Sequence, residues 1–290
     1  MSYFESDFLF IPGAAKSGTS SLFDYLKNHP QIAPCQIKEP HFFSTPDRFD
    51  SGKFEGIEYQ KLFDTSKKKI PCDASTSYMI SDYAIRNIQQ NISNPKFIFV
   101  LRNPIDRTIS HYKWLVGIDE EKKTFRKAIK SGLTGEFDFH SSPTHRYKYY
   151  LELSYYHKWL RKYFKLFGKE NILILTTEDL KMDPQKCLNR CTEFLDIKEM
   201  TIEKSIMSNK SRPERIFNPR LDKLLSLKFH HVIPQSIRSW VITNLKDRQK
   251  TNIKEKDRNY LKNLFEEDVK YLKKLTNLDF EEWREFQHLK

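Results

Sequence analysis

Three short apolar runs, separated by long stretches with helical periodicity, constrain the fold of this 290-residue chain more than any other feature. The runs are residues 8–11, 96–101 and 171–175, and none of them alternates apolar with polar side chains. Strands that are buried on both faces have this pattern, and helices between them connect strands that lie parallel. The sequence therefore predicts an α/β fold in which a parallel central sheet is flanked by helices.

The predicted helices follow these strands. One begins at Thr19 and ends near His29, and another begins at Pro104, a residue that suits the first turn of a helix, and ends near Leu115. Three further segments complete the prediction: a helix plus a loop in residues 119–142, a long aromatic-rich helix in residues 145–167, and one or two C-terminal helices in residues 261–283.

Neither a repeat nor a Pro- or Gly-rich linker interrupts the chain, which predicts a single domain over residues 1–290. Within it we expect a core at about residues 8–200 and a basic, helical part at about 204–290. No apolar run approaches the roughly 18 residues of a membrane span, and the first residues lack the pattern of a signal peptide, so we expect a soluble, non-exported protein. The four scattered cysteines predict reduced structural thiols; they are Cys35, Cys72, Cys187 and Cys191.

Positive charge is concentrated in the C-terminal third of the chain. The net charge is +12, and residues 204–262, with 15 basic and 5 acidic side chains, supply +10 of it. Such a stretch is typical of a solvated basic face, or of a surface that attracts nucleic acid, an anionic membrane, an anionic polymer or a phosphorylated ligand. Only a few aromatic residues accompany it, which argues against base stacking and hence against nucleic acid. They are Phe217, Phe229, Trp240 and Tyr260.

Two of the eight glycines lie in the loop between the first strand and the first helix, which reads Gly13-Ala-Ala-Lys16-Ser-Gly18-Thr-Ser-Ser21. Small residues let backbone N–H groups surround an anion, and a helix N-terminus adds partial positive charge. The loop therefore predicts a phosphate site made by Lys16, Ser17, Gly18, Thr19, Ser20 and Ser21. In nucleoside triphosphatases the lysine directly follows the last glycine and precedes a magnesium-binding hydroxyl, whereas Lys16 precedes Gly18 by two positions. This difference weakens a kinase interpretation and gives no reason to expect a metal.

A second anion-binding pattern follows the strand at residues 96–101. The segment Arg102-Asn-Pro-Ile-Asp-Arg107-Thr-Ile-Ser110-His-Tyr112 places a guanidinium at the strand end and a hydroxyl two helical turns later. With the Lys-x-Gly-Thr loop, it resembles the sulfotransferases that use 3′-phosphoadenosine 5′-phosphosulfate (PAPS), whose 3′-phosphate motif is Arg-x-Pro-x-x-Arg-x-x-Ser-x-Tyr. The resemblance implies a P-loop nucleotide-kinase-like fold, PAPS as the donor, and binding of its 3′-phosphate by Arg102 and Ser110, with Arg107 and Tyr112 in structural roles.

A third segment, Lys38-Glu39-Pro-His41-Phe-Phe, is similar to the Glu-x-x-Phe-Phe segment of the glycosaminoglycan-type members, which include the heparan sulfate N- and 3-O-sulfotransferases. This resemblance implies that Glu39 is the general base and that Lys16 steadies the departing bridging oxygen. It also implies that His41 is a second catalytic or acceptor-contacting residue.

The chain departs from the heparan sulfate enzymes at two positions. Ala74 stands where they have a lysine that contacts donor and acceptor, and Ser44 stands where the 3-O enzymes have an aspartate. These changes count against heparan sulfate as the acceptor and leave the chemistry intact. Ser75 and Tyr78 are predicted to line the acceptor site, with a core or capping role as the alternative for both.

Lys210 and Arg212 fall roughly where the family has a basic loop over the 3′-phosphate and adenine. Taken together, the resemblance predicts sulfuryl transfer from PAPS to a hydroxyl or amine of a carbohydrate or glycan acceptor, which could be anionic, with no metal required. A P-loop kinase-like phosphotransferase and a non-catalytic binder of anionic polymers stay open as alternatives. The related animal enzymes are anchored in the Golgi membrane, and this sequence shows no such anchor or targeting signal. We therefore expect a cytoplasmic, for example bacterial, relative, with an excised luminal domain as the alternative.

Overall fold

Five parallel strands form one sheet in the computed structural model of the chain, which describes residues 4–45, 59–65, 69–118, 120–133, 148–202 and 253–289. The strands are β1 (Phe4–Phe10), β2 (Ile32–Pro34), β3 (Ile70–Asp73), β4 (Ile92–Leu101) and β5 (Ile172–Thr176). Their order across the sheet is β2-β3-β1-β4-β5, and every neighbouring pair is parallel. This architecture confirms the predicted α/β fold.

Helices lie between most of these strands and after β5. They are α1 (Thr19–Leu26), α2 (Asp82–Asn91), α3 (Pro104–Gly117), α4 (Phe125–Leu133), α5 (Tyr156–Phe167), α6 (Thr177–Met182), α7 (Pro184–Phe194) and α8 (Glu255–Thr276). Short 3-10 segments include Phe42–Ser44, Tyr78–Ile80, Glu152–Ser154 and Arg284–Phe286. Among the described residues, no helix is both long enough and apolar enough to cross a bilayer.

The sheet separates two apolar clusters, because successive side chains of a strand point to opposite faces. On one face, Phe8 and Phe10 of β1 pack with α2, α5 and α8. On the other face, Leu9 of β1 and Ile98 of β4 pack with α1 and α7. Both faces are therefore covered, which is why β1 and β4 read as continuous apolar runs.

Several predicted boundaries were wrong. β1 begins at Phe4 and β4 at Ile92, earlier than predicted, and the sequence did not predict β2 or β3. The long helix begins at Tyr156 instead of residue 145, because the carboxylate of Asp268 on α8 accepts hydrogen bonds from the backbone N–H groups of His157 and Lys158. A carboxylate at this position satisfies N–H groups that a helix leaves unpaired only in its first turn.

Within residues 253–289 the structure has one helix, α8, and a 3-10 turn, which agrees with the predicted one or two helices, although α8 begins earlier than predicted, at Glu255. Leu261 and Phe265 of α8 are fully buried and belong to the same apolar cluster as Phe97 of β4. All four cysteines are buried and free, as predicted, and burial raises the pKa of Cys35 to about 12 and that of Cys187 to about 11. Thiols with such high pKa values stay protonated, and hence weakly nucleophilic, at neutral pH.

Candidate active site

The carboxyl ends of all five strands lie at one edge of the sheet, and the candidate residues follow these ends. The glycine loop follows β1, Glu39 and His41 follow β2, Ser75 follows β3, and Arg102 follows β4. Ligands of open parallel sheets bind at this edge, so the topology brings together three segments that are far apart in sequence.

Two positions of the phosphate loop require glycine, each for a different reason. A Cβ atom at Gly13 would lie 2.7 Å from the sulfur of Met79, so a larger residue does not fit there. Gly18 has a left-handed φ of 97° and is the N-cap residue of α1, a conformation that favours glycine. The loop therefore enters α1 with a bare backbone, which allows an anion to approach the first N–H groups of the helix.

Hydrogen bonds fix this loop to its neighbours. Gly13 and Ala14 pair with Val100 of β4 through two backbone hydrogen bonds of 2.8 Å. The hydroxyl of Thr177, at the start of α6, donates to the carbonyl oxygen of Ser17 at 2.6 Å. The loop backbone is thus held from β4 on one side and from α6 on the other.

The Ser17 hydroxyl fits a site for an anion. Its Oγ atom is fully buried and makes no hydrogen bond of acceptable geometry with the residues that the structure describes. The nearby hydroxyl of Tyr156 donates to the carbonyl oxygen of Arg102 at 2.9 Å. The Tyr156 hydroxyl also lies close to that of Ser17, and because the Ser17 hydroxyl has no well-formed hydrogen bond, a phosphate oxygen in the loop would stabilise it. The residues of the loop therefore fit a phosphate group.

Three cationic side chains surround this loop. The ammonium of Lys16, whose backbone is left-handed with φ 70°, lies 5.0 Å from the ring centre of Trp114 on α3. Lys38 donates to the Ser20 hydroxyl in the first turn of α1 at 2.8 Å. Of the other predicted loop residues, Thr19 is buried and Ser21 is half-buried. The sequence did not single out Lys38, although its position next to Glu39 was a signal that could have done so.

The third cation, Arg102, joins the two anion-binding motifs. Its guanidinium Nη1 donates to the carbonyl oxygen of Lys16 at 3.3 Å, so the end of β4 and the phosphate loop are in contact. Asn103 caps α3 by accepting the N–H of Ile105 at 3.0 Å. Ser110 lies in the second turn of α3 and is half-buried.

The other two members of this motif support the helix. Arg107 is fully buried; it donates to the carbonyl oxygen of Tyr150 and to the Ser154 hydroxyl, and burial lowers its pKa to about 10. The Tyr112 hydroxyl donates to the carbonyl oxygen of Lys123 at 2.9 Å. Both contacts agree with the structural roles that the resemblance implies for these residues.

Glu39 and His41 lie in a loop with unusual backbone geometry. Both have φ of 53°, a left-handed conformation that costs a residue with a Cβ about 1 kcal/mol or more and that concentrates at functional sites. The Glu39 carboxylate accepts a hydrogen bond from Thr76 at 3.3 Å and lies 3.5 Å from Nε2 of His41. The side chain of Glu39 is 16% exposed, so it is sheltered yet reachable.

His41 is held by hydroxyl groups from the loop after β3. Its Nδ1 atom is 2.7 Å from the Ser77 hydroxyl, which in turn is 2.7 Å from the Ser44 hydroxyl. With Nδ1 occupied in this way, Nε2 faces Glu39. The sequence did not predict Ser77, because nothing local links it to a residue 36 positions earlier.

A buried carboxylate supports this arrangement. Asp73, at the end of β3, accepts hydrogen bonds from the hydroxyls of Tyr59, Ser75 and Tyr78 at 2.7, 2.7 and 2.8 Å. Ser75 also accepts the backbone N–H of His41 at 3.0 Å. Burial raises the pKa of Asp73 above its ordinary value, although the hydrogen bonds that it accepts act in the opposite direction.

Ser75 and Tyr78 are fully buried, and both bind Asp73. Of the two roles that the sequence left open for them, this geometry favours the core one, in which they position the loop of Glu39 and His41. Lys210 and Arg212 lie outside the described residues, as does most of the basic stretch at 204–262.

Comparisons with known proteins agree with this geometry. The family model described as the sulfotransferase domain matches residues 6–276. Human heparan sulfate glucosamine 3-O-sulfotransferase 3B1 is 28% identical over 204 residues, which cover 70% of this chain and 49% of that protein. Human heparan sulfate glucosamine 3-O-sulfotransferase 6 is 30% identical over 205 residues, covering 70% and 56% respectively. The chain thus spans about half the length of the curated relatives it matches.

A solved structure shares the fold. The crystal structure of a sulfotransferase from Alicyclobacillus acidocaldarius superposes with a TM-score of 0.71 at 24% sequence identity, covering 97% of this chain and 100% of that one.

Proposed function

The chain belongs to the sulfotransferase domain family, and from this premise we propose that it transfers a sulfuryl group from PAPS to a hydroxyl or amine group of a carbohydrate acceptor. The observation that carries the donor assignment is the contact between Arg102 and the carbonyl oxygen of Lys16 at 3.3 Å. Because of this contact, two anion-binding elements lie side by side. A nucleotide with phosphate at both its 5′ and 3′ positions suits such a pair.

Each donor group has a matching set of residues in this proposal. The 5′-phosphosulfate lies in the glycine loop, where the N-terminus of α1, the buried Ser17 hydroxyl and the ammonium of Lys16 face it. The 3′-phosphate binds the guanidinium of Arg102 and the hydroxyl of Ser110, with Lys210 and Arg212 as further contacts. A guanidinium binds phosphate oxygens in a bidentate fashion and gives directional selectivity.

The chemical step needs a base on the acceptor side. Glu39 removes the proton from the acceptor as its oxygen or nitrogen forms a bond to sulfur. The bond between sulfur and the bridging oxygen breaks, and adenosine 3′,5′-bisphosphate leaves with the electron pair of that bond. Lys16 stabilises the negative charge that develops on the bridging oxygen, and His41 helps to orient the acceptor. Thr76 and His41 hold the carboxylate in place, which supports this role for Glu39.

The carbohydrate part of the proposal comes from the relatives, whose names specify heparan sulfate glucosamine as the acceptor. Ala74 is buried and cannot supply the cation of those enzymes, and Ser44 binds Ser77 instead of offering a carboxylate. We therefore propose a carbohydrate other than heparan sulfate, and the +10 charge of residues 204–262 suits an anionic one. Four free thiols support a reducing compartment such as the cytoplasm.

Transfer of labelled sulfur tests the proposal. The protein is incubated with ³⁵S-labelled PAPS, without a divalent metal, and with separate panels of neutral glycans, anionic glycans, glycolipids and simple alcohols. We expect label on a glycan and stoichiometric release of adenosine 3′,5′-bisphosphate. Phosphate transfer from ATP with magnesium, in the absence of any sulfate transfer, would replace this proposal with the phosphotransferase alternative.

A further inference from the structure

Asn103, the residue after Arg102, is tied to the far end of the chain. It is buried, and its side-chain Nδ2 donates to the carboxylate of Glu285 at 2.8 Å, across 182 positions of sequence. Its Oδ1 accepts the N–H of Ile105 as the cap of α3, and its own backbone N–H donates to Glu178 at 3.4 Å. Every polar group of this side chain is thus engaged, and one of its partners comes from the C-terminal turn.

Glu285 is itself held by Arg258 of α8. The guanidinium of Arg258 donates to Glu285 through Nε at 3.1 Å and also through Nη2, and its Nη1 donates to Asp106 in the first turn of α3 at 2.7 Å. Burial raises the pKa of Glu285, but the hydrogen bonds from Arg258 and Asn103 outweigh it and the pKa is lowered. The carboxylate is therefore charged at neutral pH, and charge-assisted hydrogen bonds of this kind are strong and directional.

A second connection reaches Arg102 itself. Trp283 is fully buried and stacks on Phe280 with ring centres 4.2 Å apart, while its indole N–H donates to Glu178 at 3.4 Å. The Trp283 ring also lies against Tyr156, with centres 6.0 Å apart. The Tyr156 hydroxyl donates to the carbonyl oxygen of Arg102 at 2.9 Å. Both polar groups of the peptide unit between Arg102 and Asn103, its carbonyl oxygen and its N–H, are thus bonded to side chains that contact Trp283.

We infer that Glu285, held by Arg258, is a positioning residue for 3′-phosphate recognition: through Asn103 it fixes the backbone from which the Arg102 guanidinium reaches the nucleotide. This inference rests on the proposed function. A guanidinium fork binds a phosphate well only when its stem starts from the right place, because a misplacement of about 1 Å in such a contact is costly. Glu285, Arg258 and Asn103 make their hydrogen bonds to residues outside the glycine loop, so the 5′ end of the nucleotide depends on them less than the 3′ end does.

A positioning role for Glu285 predicts different effects on two ligands, one with a 3′-phosphate and one without it. A residue that only stabilised the fold would weaken every nucleotide alike when removed. A residue that positions Arg102 weakens adenosine 3′,5′-bisphosphate and spares adenosine 5′-monophosphate (AMP), which has no 3′-phosphate. The ratio of the two dissociation constants therefore separates positioning from stability.

The experiment measures this ratio by calorimetry for the 290-residue chain and for its variants Glu285→Ala and Glu285→Gln. The exposed Glu282→Ala, three residues earlier in the same segment, is the matched control. We expect Glu285→Ala to weaken the bisphosphate about tenfold, the order expected for loss of a charge-assisted hydrogen bond, with AMP affinity within twofold of the wild type. Glu285→Gln retains an oxygen for Asn103, so its affinity for the bisphosphate should lie between that of Glu285→Ala and that of the wild type. Glu282→Ala should match the wild type.

Thermal unfolding identifies variants that are not folded, and Arg258→Lys replaces Glu285→Ala if the latter fails this check. An unchanged ratio in a folded variant, or an equal loss for both ligands, overturns the inference. Failure of the proposed function has a different signature, because the wild-type protein itself would then show no preference for the bisphosphate over AMP.

Discussion

The two sides of the candidate site are constructed differently. On the donor side, the glycine loop and Arg102 lie at the ends of β1 and β4, two neighbouring interior strands, and each leads directly into a helix. On the side of the base, Glu39 and His41 lie in a loop after the edge strand β2, which has three residues. Hydroxyl groups from the loop after β3 contact the backbone N–H and the imidazole of His41 and the carboxylate of Glu39.

This structural difference suggests that one side of the site binds the donor and that the other side carries out the proton transfer. A site at the end of central strands and at a helix N-terminus binds phosphate through backbone geometry that the fold already provides. A base in an edge loop depends on side chains that approach from elsewhere, so it can change without disturbing the donor. Substitutions on the two sides should therefore separate binding from turnover.

The largest effect is expected for Glu39→Gln. Removing a general base typically costs about 10²- to 10⁴-fold, so we expect kcat to fall about 10³-fold. The amide keeps an oxygen for Thr76, and the dissociation constant of the bisphosphate should stay within threefold of the wild type. Labelled transfer and calorimetry on the same preparation provide the two readouts.

The matched control is Glu193→Gln, at an exposed position of α7. It should leave both readouts unchanged. Full turnover in Glu39→Gln would remove Glu39 as the base, and an equal loss of donor binding would contradict the separation of the two sides.

Arg102→Ala should act in the opposite way. Loss of a charged contact to phosphate predicts bisphosphate binding about 10- to 100-fold weaker, with AMP affinity nearly unchanged. Arg86→Ala, at an exposed position of α2, serves as the control for loss of a positive charge. If the affinities for AMP and for the bisphosphate fell together, Arg102 would be stabilising the fold of the site rather than binding the 3′-phosphate.

The smallest effect is expected for Ser77→Ala. It removes the 2.7 Å contact to Nδ1 of His41 and leaves Glu39 in place. We expect kcat to fall about threefold to tenfold, because one hydrogen bond that orients the imidazole is lost, while donor affinity is unchanged. Ser77→Thr retains the hydroxyl and should recover most of the rate, and failure of threonine to rescue would argue against the orienting role.

The same contrast explains how much of the fold could be predicted. β1, β4 and β5 have five or more residues each and contain the apolar runs that the sequence shows. β2 has three residues and ends in Pro34, while β3 contains Pro71 and Asp73, so neither has the pattern of a buried strand. The start of α5 depends on Asp268, a residue 111 positions beyond His157, which no local pattern could reveal.

The residues proposed to bind the donor can be singled out from the sequence because each motif is local: Lys16 and Gly18 lie in one loop, and Arg102 and Ser110 lie in one strand end and the helix that follows it. The support of Glu39 and His41 was not predictable, because Asp73 and Ser77 come from a distant segment and act through hydrogen bonds. The connection from Asn103 to Glu285 escaped prediction for the same reason.

The central claim is that the glycine loop and the Arg102 turn form one site for a nucleotide phosphorylated at both its 5′ and 3′ positions. Calorimetric titration of the wild-type protein tests it most directly, with adenosine 3′,5′-bisphosphate in magnesium-free buffer in one experiment and ATP with magnesium in the other. We predict saturable binding of the bisphosphate that is at least about tenfold tighter than that of ATP. Saturable binding of ATP with magnesium, and none of the bisphosphate, would contradict the claim.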